Sequence, residues 1–481
     1  MKTSLASIDH IVVLMLENRS FDHMLGFLYD KAGNKPPRGQ PFDGLTGNEA
    51  NPDSDGRTVQ VFRITPDSPN AYFMPGADPG EGYHATNSQL FGNIDAPAAA
   101  PPTGQSNLGF VKDYAYTLGW ESKEKNWTIL PGTSPCMIMG AFAPEALPVL
   151  SGLARGYAVC DQWFASAPTE TLPNRAFANA ATSQGFMDDK TKSYTAPSIF
   201  GALSNRGLDW RIYGYDKDPL TRHNFPDTLN APDAHFGVFT DFQAAAQAGT
   251  LPPYTFLEPS WGESGNSQHP AGNVALGEQL IYDVYYALRN GPNWSKTLLI
   301  VTYDECGGCY DHVPPPWTAT PPDDTTNGEF GFDFKRFGVR VPAILVSPLI
   351  EAGTVFRVAP DQTPLDHTSI LKTVEVRFDV PPLTRRDAAA CDLGAVLTRT
   401  GPRTDDPLEG VQPPQAEGQA PAAGHPSHLE LTHAELVSRL PVPDDAGGSH
   451  HTMPPLNTAA EVDRYIRTRT AKWKASRRGS Q

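Results

Sequence analysis

Ile11-Val12-Val13-Leu14-Met15-Leu16 runs without a polar residue and stops at Glu17-Asn18. A six-residue apolar run of this kind reads as a strand buried on both faces. The same pattern recurs at Thr297 to Tyr303 and Val341 to Ser347, with weaker versions at Trp210 to Tyr215 and Tyr254 to Leu257. Helical periodicity lies between them. Val274, Leu280, Ile281, Val284, Tyr285 and Leu288 share one face of a helix predicted to end near Asn290-Gly291. Further helices are predicted over Pro144 to Tyr157 and over Thr368 to Arg377, the latter behind a cap at Asp366. Buried strands alternating with helices predict an α/β protein with a mostly parallel central sheet.

Such sheets bind ligands at the carboxyl ends of their strands. Glu17-Asn18 end the first strand, and Asp304-Glu305 end the strand Thr297 to Tyr303. Two oxygen-rich pairs at strand ends suit a hard divalent cation. Spacing alone equally allows them to be the polar starts of two loops.

Composition narrows the function classes. Formal charge is −16, which argues against a protein held to nucleic acid by phosphate contacts. Apolar residues make up 39% of the 481, enough to exclude wholesale disorder. With 47 Pro and 42 Gly, long connecting loops are favoured over a helical bundle. They are predicted at Lys31 to Gly109 and Pro314 to Gly331, as lids or insertions. Five cysteines are too few for a disulfide framework. No apolar run reaches transmembrane length, and the first residues lack the apolar core of a signal peptide. A cytoplasmic location is the default expectation, although a secreted chain already trimmed of its signal would read the same way.

From about Gly401 the chain turns rich in Pro, Ala, Gly and His, so residues 1–400 are predicted as the main domain and 401–481 as linker and extension. His425, His428, His433, His450 and His451 fit no metal spacing and are expected in solvated loop. Glu461 to Gln481 holds seven basic and two acidic residues. Val462, Tyr465, Ile466 and Trp473 there form an apolar helical face. The favoured reading is a terminal helix packed on its own domain, and the second is peripheral contact with an anionic membrane.

A series of motifs carries a specific likeness. Glu17-Asn18-Arg19-Ser20-Phe21-Asp22-His23 opens it, followed by Asp78-Pro79-Gly80-Glu81-Gly82 and by Thr171-Leu172-Pro173-Asn174-Arg175. Asn266-Ser267-Gln268-His269-Pro270 comes next, then Asp304-Glu305-Cys306-Gly307-Gly308-Cys309-Tyr310-Asp311-His312. Gly338 to Pro342 and Asp366-His367-Thr368-Ser369 close it. In this order, over about residues 8 to 380, the chain resembles the phosphoesterase family of bacterial and plant non-specific phospholipases C and an acid phosphatase.

The resemblance implies a three-layer α/β/α fold of alkaline-phosphatase type. It also implies hydrolysis of phosphate esters through a phosphorylated enzyme. Thr171 resembles the nucleophile, and Glu17, Asn18, Asp304 and Glu305 resemble metal ligands whose shell Thr171 completes. His269 resembles a histidine that meets the phosphoryl group or the leaving oxygen. The substrate implied is a phospholipid, cleaved to diacylglycerol and a phosphorylated head group, with a soluble phosphomonoester as the runner-up. A non-catalytic binding protein on the same fold is the third alternative. No protein partner follows from the motifs.

The residue chemistry agrees with this. A threonine hydroxyl needs activation, which metal coordination supplies without a neighbouring base. A helix predicted over Asn174 to Thr182 would offer free N–H groups to phosphate oxygens. Asn174 and Arg175 are then candidate substrate contacts, although an Arg in a first helical turn is more often structural. Carboxylates, an amide and a hydroxyl favour calcium, magnesium or manganese. The chain departs from the common family form at Cys306, where His is usual, and at Cys309, Ser267 and Glu81. His84 and His223 are candidate substitutes for missing histidines. Cys306-Gly307-Gly308-Cys309 also reads as a redox pattern, a minor alternative.

Overall fold

Strand β1, His10–Leu16, is buried at every position after His10, so both of its faces are covered. Each such Val, Leu or Ile contributes roughly 1.5–3 kcal/mol relative to exposure. Seven further strands complete the sheet: β2 Ala158–Val159, β3 Trp210–Gly214, β4 Phe236–Val238, β5 Tyr254–Leu257, β6 Thr297–Tyr303, β7 Ala343–Val346 and β8 Thr354–Val355. Their order is β8-β2-β7-β6-β1-β5-β3-β4. All neighbours pair parallel except β7, which runs antiparallel to both β6 and β2. The predicted α/β class with a mostly parallel sheet is what the computed structural model shows. It describes residues 4–29, 35–95, 106–123, 128–192, 194–262, 264–323, 327–416, 424–442 and 452–478.

The helices Val274–Arg289 and Thr368–Phe378 lie where periodicity placed them. The helix expected from Pro144 begins later, at Pro148, and ends at Gly156. The reason is long-range. Glu278 from the Val274–Arg289 helix accepts hydrogen bonds from the amides of Val149 (2.7 Å) and Leu150 (3.0 Å), satisfying the open N-terminus there.

Two expectations about loops need correction. Lys31 to Gly109 is not one long loop. It holds the hairpin Ala50–Pro52 with Thr58–Gln60, the strand Phe62–Ile64 pairing Gly140–Phe142, and the helix Gly82–Phe91. The tail is not all solvated loop either. Ser427 and Glu430 cap each other at the start of a helix over His428–Ser438, which packs against the terminal helix Ala459–Arg478. Val462, Ile466 and Trp473 are buried in the seam with Ala434, Val437 and Leu440, as the packed-helix reading anticipated. His433 is fully buried beside His223, and His428 meets the Asp189 carbonyl at 3.2 Å. His450 and His451 lie outside the described residues. Leu429 joins Leu172, Leu220 and Trp261 in one apolar cluster, so this extension sits against the main body. No helix among the described residues is long and apolar enough to cross a membrane.

Candidate active site

Parallel pairing sets the first half of the site. Leu16 of β1 lies opposite Tyr303 of β6, so Glu17-Asn18 and Asp304-Glu305 leave the sheet side by side. Asn18 turns there with φ +55°, a left-handed conformation that Asn tolerates better than most residues. Its amide donates to Asp304 Oδ1 at 3.1 Å, and the Glu305 amide donates to the same oxygen at 2.8 Å. Gly307 (φ +57°) is pressed on this turn. A Cβ there would lie 2.2 Å from the Asn18 carbonyl oxygen, so only glycine allows the two strand ends to meet.

Thr171 arrives from elsewhere in the chain, at the first position of a helix over Thr171–Ala180. That helix starts earlier than predicted because the Asp189 carboxylate accepts the Leu172 amide at 2.6 Å. Thr171 is 3% exposed, and its hydroxyl donates to Asn18 Oδ1 at 3.1 Å. The predicted nucleophile and one predicted metal ligand are therefore in direct contact.

Asn174 and Arg175 are engaged differently from the substrate-contact reading. The Asn174 amide group accepts from the Ala167 amide and donates to the carbonyls of Ala167, Thr169 and Glu170, holding the turn before the helix. Arg175 is 1% exposed. Its Nε donates to Asp304 Oδ2 at 2.9 Å, and Nη2 donates to the carbonyls of Met15 and Leu16 at 3.0 Å. Asn174 is spent on the scaffold, whereas Arg175 orients Asp304 and keeps Nη1 buried without a hydrogen-bond partner.

Three residues to which the motifs assigned no role complete the site. Glu81, at the cap of the Gly82–Phe91 helix, accepts a hydrogen bond from the Asn18 side-chain amide and lies 3.2 Å from His269 Nε2. Asp78 lies 3.9 Å from His269 Nδ1. His367 Nε2 meets the Asp304 carbonyl oxygen at 2.6 Å. Asp78, Glu81 and His367 all stand in the quoted motifs, and only folding showed that they converge.

The site concentrates negative charge in a buried setting. Burial, with Asp304 close by, raises the Glu17 carboxyl to about 7. Burial and the charge of Glu81 hold Glu305 well above the usual carboxylate range. Asp78 is likewise pushed up by burial and Glu81, whereas Glu81, despite burial, is held down by His269. Burial would lower His269, but Asp78 and Glu81 outweigh it, so its imidazole stays protonated well above its ordinary pKa.

Among the described residues, acidic and histidine ligand atoms converge within 4.8 Å in two groups, Asp78–Glu81–His269 and Asp22–Asp311–His312. The expected ligands Glu17, Asp304 and Glu305 belong to neither, although Asn18 ties them to Glu81. The second group is an ion-pair network. Arg340 donates to Asp22 and Asp311 at 2.9 Å each, and His312 Nδ1 pairs with Asp22 at 2.6 Å. A cation there would have to displace a buried guanidinium. Beside the first group, Glu305 Oε1 is buried with no hydrogen-bond partner, and among the described residues only Arg175 and His269 form ion pairs with the set Glu17, Asp78, Glu81, Asp304 and Glu305. Those donors fit a divalent cation.

Cys306 packs against Leu90 and Val339, and all five cysteines are unbridged. His84 is exposed, and His223 is buried at the seam with the tail, so neither replaces the histidine usual at Cys306.

A model of the Phosphoesterase family matches the sequence over residues 8–381, the span that holds the motifs. The chain belongs to the Phosphoesterase family. This phosphoesterase is 35% identical over 434 residues to non-specific phospholipase C3 of Arabidopsis thaliana, covering 86% of this chain and 78% of that protein. It is 27% identical over 458 residues to phospholipase C A of Mycobacterium tuberculosis, covering 85% and 82%. A solved protein of the alkaline phosphatase superfamily from Vibrio parahaemolyticus overlaps 52% of this chain and 64% of its own, at 15% identity and a TM-score of 0.30. The phosphoesterase is a hydrolase of phosphate esters, which sets aside the non-catalytic reading.

Proposed function

We propose that the protein is a metal-dependent phospholipase C that cleaves a glycerophospholipid diester through a phosphothreonine intermediate. The observation that carries this is the 3.1 Å hydrogen bond from Thr171 Oγ1 to Asn18 Oδ1, which seats a helix-N-terminal hydroxyl among the strand-end carboxylates. Glu17, Asn18, Thr171, Asp304 and Glu305 are the residues that would hold the cation. When bound, a divalent cation supplies the positive charge that offsets these carboxylates and eases ionisation of the threonine hydroxyl. Calcium, magnesium and manganese all suit an all-oxygen set.

Thr171 attacks phosphorus as its alkoxide, the hydroxyl proton having passed to solvent, and the bond from phosphorus to the glycerol oxygen breaks. His269, charged and partly exposed, gives its Nε2 proton to that leaving oxygen, releasing diacylglycerol. Neutral His269 then takes a proton from water as the water attacks the phosphothreonine; the bond from phosphorus to Thr171 Oγ breaks, the phosphorylated head group leaves, and the Thr171 alkoxide regains a proton from solvent. Arg175 and the Asn18 amide hold Asp304 in place throughout. The phospholipase names of the relatives favour a lipid diester over a soluble monoester.

The test supplies phosphatidylcholine and a soluble phosphomonoester side by side and follows diacylglycerol and inorganic phosphate separately. Diacylglycerol release with the higher kcat/KM supports the proposal. Preference for the monoester moves the protein to the phosphatase reading.

A further inference from the structure

The reacting groups are enclosed, with Thr171 at 3% and Glu17 at 2% exposure. Solvent reaches the site instead at the side chains of His269, Glu81 and Asp78, which are 27%, 20% and 18% exposed. The chain continues from Glu81 through Gly82 to Tyr83. Tyr83 is buried, and its ring lies parallel to Phe330, with centroids 5.5 Å apart and planes 7° from coplanar. Beneath Tyr83 sit Phe332 and the Arg336 guanidinium, 5.9 Å from the Tyr83 ring. Phe330 tops this stack with 52% of its surface in solvent. His84 edges onto Phe330 at 4.6 Å and bonds through Nδ1 to the carbonyl of Ile94, itself 57% exposed.

The turn bearing Phe330 is firmly held. Glu329 accepts the Met187 amide at 2.7 Å and the Lys192 ammonium at 2.8 Å, and its own amide donates to Gly185 at 2.9 Å. Phe330 itself sits at φ +58°, a left-handed conformation costly for a bulky residue. A rigid turn thus spends backbone strain on displaying an aromatic ring beside the opening of the site. Core packing does not require this, since the neighbouring Phe332 is buried.

We propose that Phe330, backed by Tyr83 and continued by Ile94, is the surface against which the acyl chains of the lipid substrate lie. It would thereby set the preference for long-chain diesters. This inference rests on the phospholipase C reading. The acyl end suits this surface better than a cationic head group does. Arg336 places a positive charge within the aromatic stack, whereas Asp78 and Glu81 at the opening would attract a cation.

The experiment compares phosphatidylcholines bearing two butanoyl, hexanoyl or octanoyl chains, each below its micelle concentration, with p-nitrophenyl phosphorylcholine, which has no acyl chain. In the wild type, kcat/KM should rise with chain length. In Phe330→Ala the dioctanoyl ester should lose about fivefold or more while the acyl-free ester stays within about twofold. Phe330→Gly, which relieves the left-handed backbone, should show the same pattern, and Phe330→Trp should keep the chain-length dependence. Equal losses on both substrate types, or an unchanged chain-length dependence in both truncations, would overturn the inference and leave the phospholipase reading standing. A wild type that hydrolyses the acyl-free ester but no phosphatidylcholine would overturn the phospholipase reading, and the inference with it.

Discussion

Thr171 Oγ1 donates to Asn18 Oδ1 across 3.1 Å, joining a helix start to a strand end 153 residues away in sequence. The contact works because Asn18 is held on three sides. Its amide N–H is on Asp304, its side-chain N–H is on Glu81, and Gly307 closes behind its carbonyl. The hydroxyl proposed as nucleophile thus points into the acidic cluster before substrate arrives.

Removing that hydroxyl should stop the reaction. Thr171→Ala is expected to lower kcat by at least ~1,000-fold, while Thr171→Ser keeps much more. Rapid quenching should also trap phosphorylated protein in the wild type and none in the alanine variant. An alanine variant within about tenfold of wild type would refute the assignment.

Glu17→Ala and Asp304→Ala should each lose bound divalent metal and activity together. Chelation should inactivate the wild type, with recovery when the cation is returned. Elemental analysis before and after, paired with the assay, checks this. Full activity in metal-free, chelator-treated protein would show that the cluster works without a cation.

Arg175→Ala should destabilise the protein by about 3–5 kcal/mol, because it leaves the Asp304 carboxylate buried without its partner. Arg175→Lys should recover only part of this. A compact ammonium cannot reproduce the bond to Asp304 together with those to the Met15 and Leu16 carbonyls. Urea unfolding at constant m-value gives the comparison. If alanine costs nothing, Arg175 is not the support described.

The pH dependence of stability should show His312. Burial lowers its pKa, but hydrogen bonds to Asp22 and Asp43 outweigh this and raise it to about 10, above the ordinary 6.5. A raised folded-state pKa means that its contribution is complete below pH 6.5 and is lost as pH rises through 10. The urea midpoint should therefore decline across that window, and His312→Asn should flatten the decline. An unchanged profile in the variant would assign the slope to other groups.

Cys306 should prove replaceable. Its thiol is buried against Leu90 and Val339, and burial together with Glu305 pushes its pKa well up, so it is neutral. Cys306→Ala is expected to cost less than ~100-fold in kcat, and Cys306→His to match or exceed the wild type. Thiol reductants should have no effect. Loss as complete as in Thr171→Ala would make the thiol catalytic.

The sequence by itself determined the α/β class, the buried strands and the order of motifs. It did so because a strand covered on both faces must be apolar or nearly so along its length, which is a local property. Thr297–Tyr303 and Tyr254–Leu257 are bounded in the structure where the apolar runs are bounded. The pairing of Glu17-Asn18 with Asp304-Glu305 was also legible, since ligands gather at the carboxyl ends of parallel strands.

What only the tertiary structure decided depends on partners far away in the chain. The duties of Asn174 and Arg175 were invisible because an exposed ligand contact and a buried scaffold bond use the same donors. Glu278 sets where the Pro148–Gly156 helix begins, from 129 and 128 residues away. The burial of His433 and the packing of the tail follow from surfaces that sequence periodicity cannot locate. The segment that brings Asp78 and Glu81 to His269 also packs on the turn after Glu305, where a Cβ on Gly308 would lie 2.5 Å from the Gly80 carbonyl oxygen. Residue type and spacing specify which chemistry is available, whereas long-range hydrogen bonds and close packing assign each group its use.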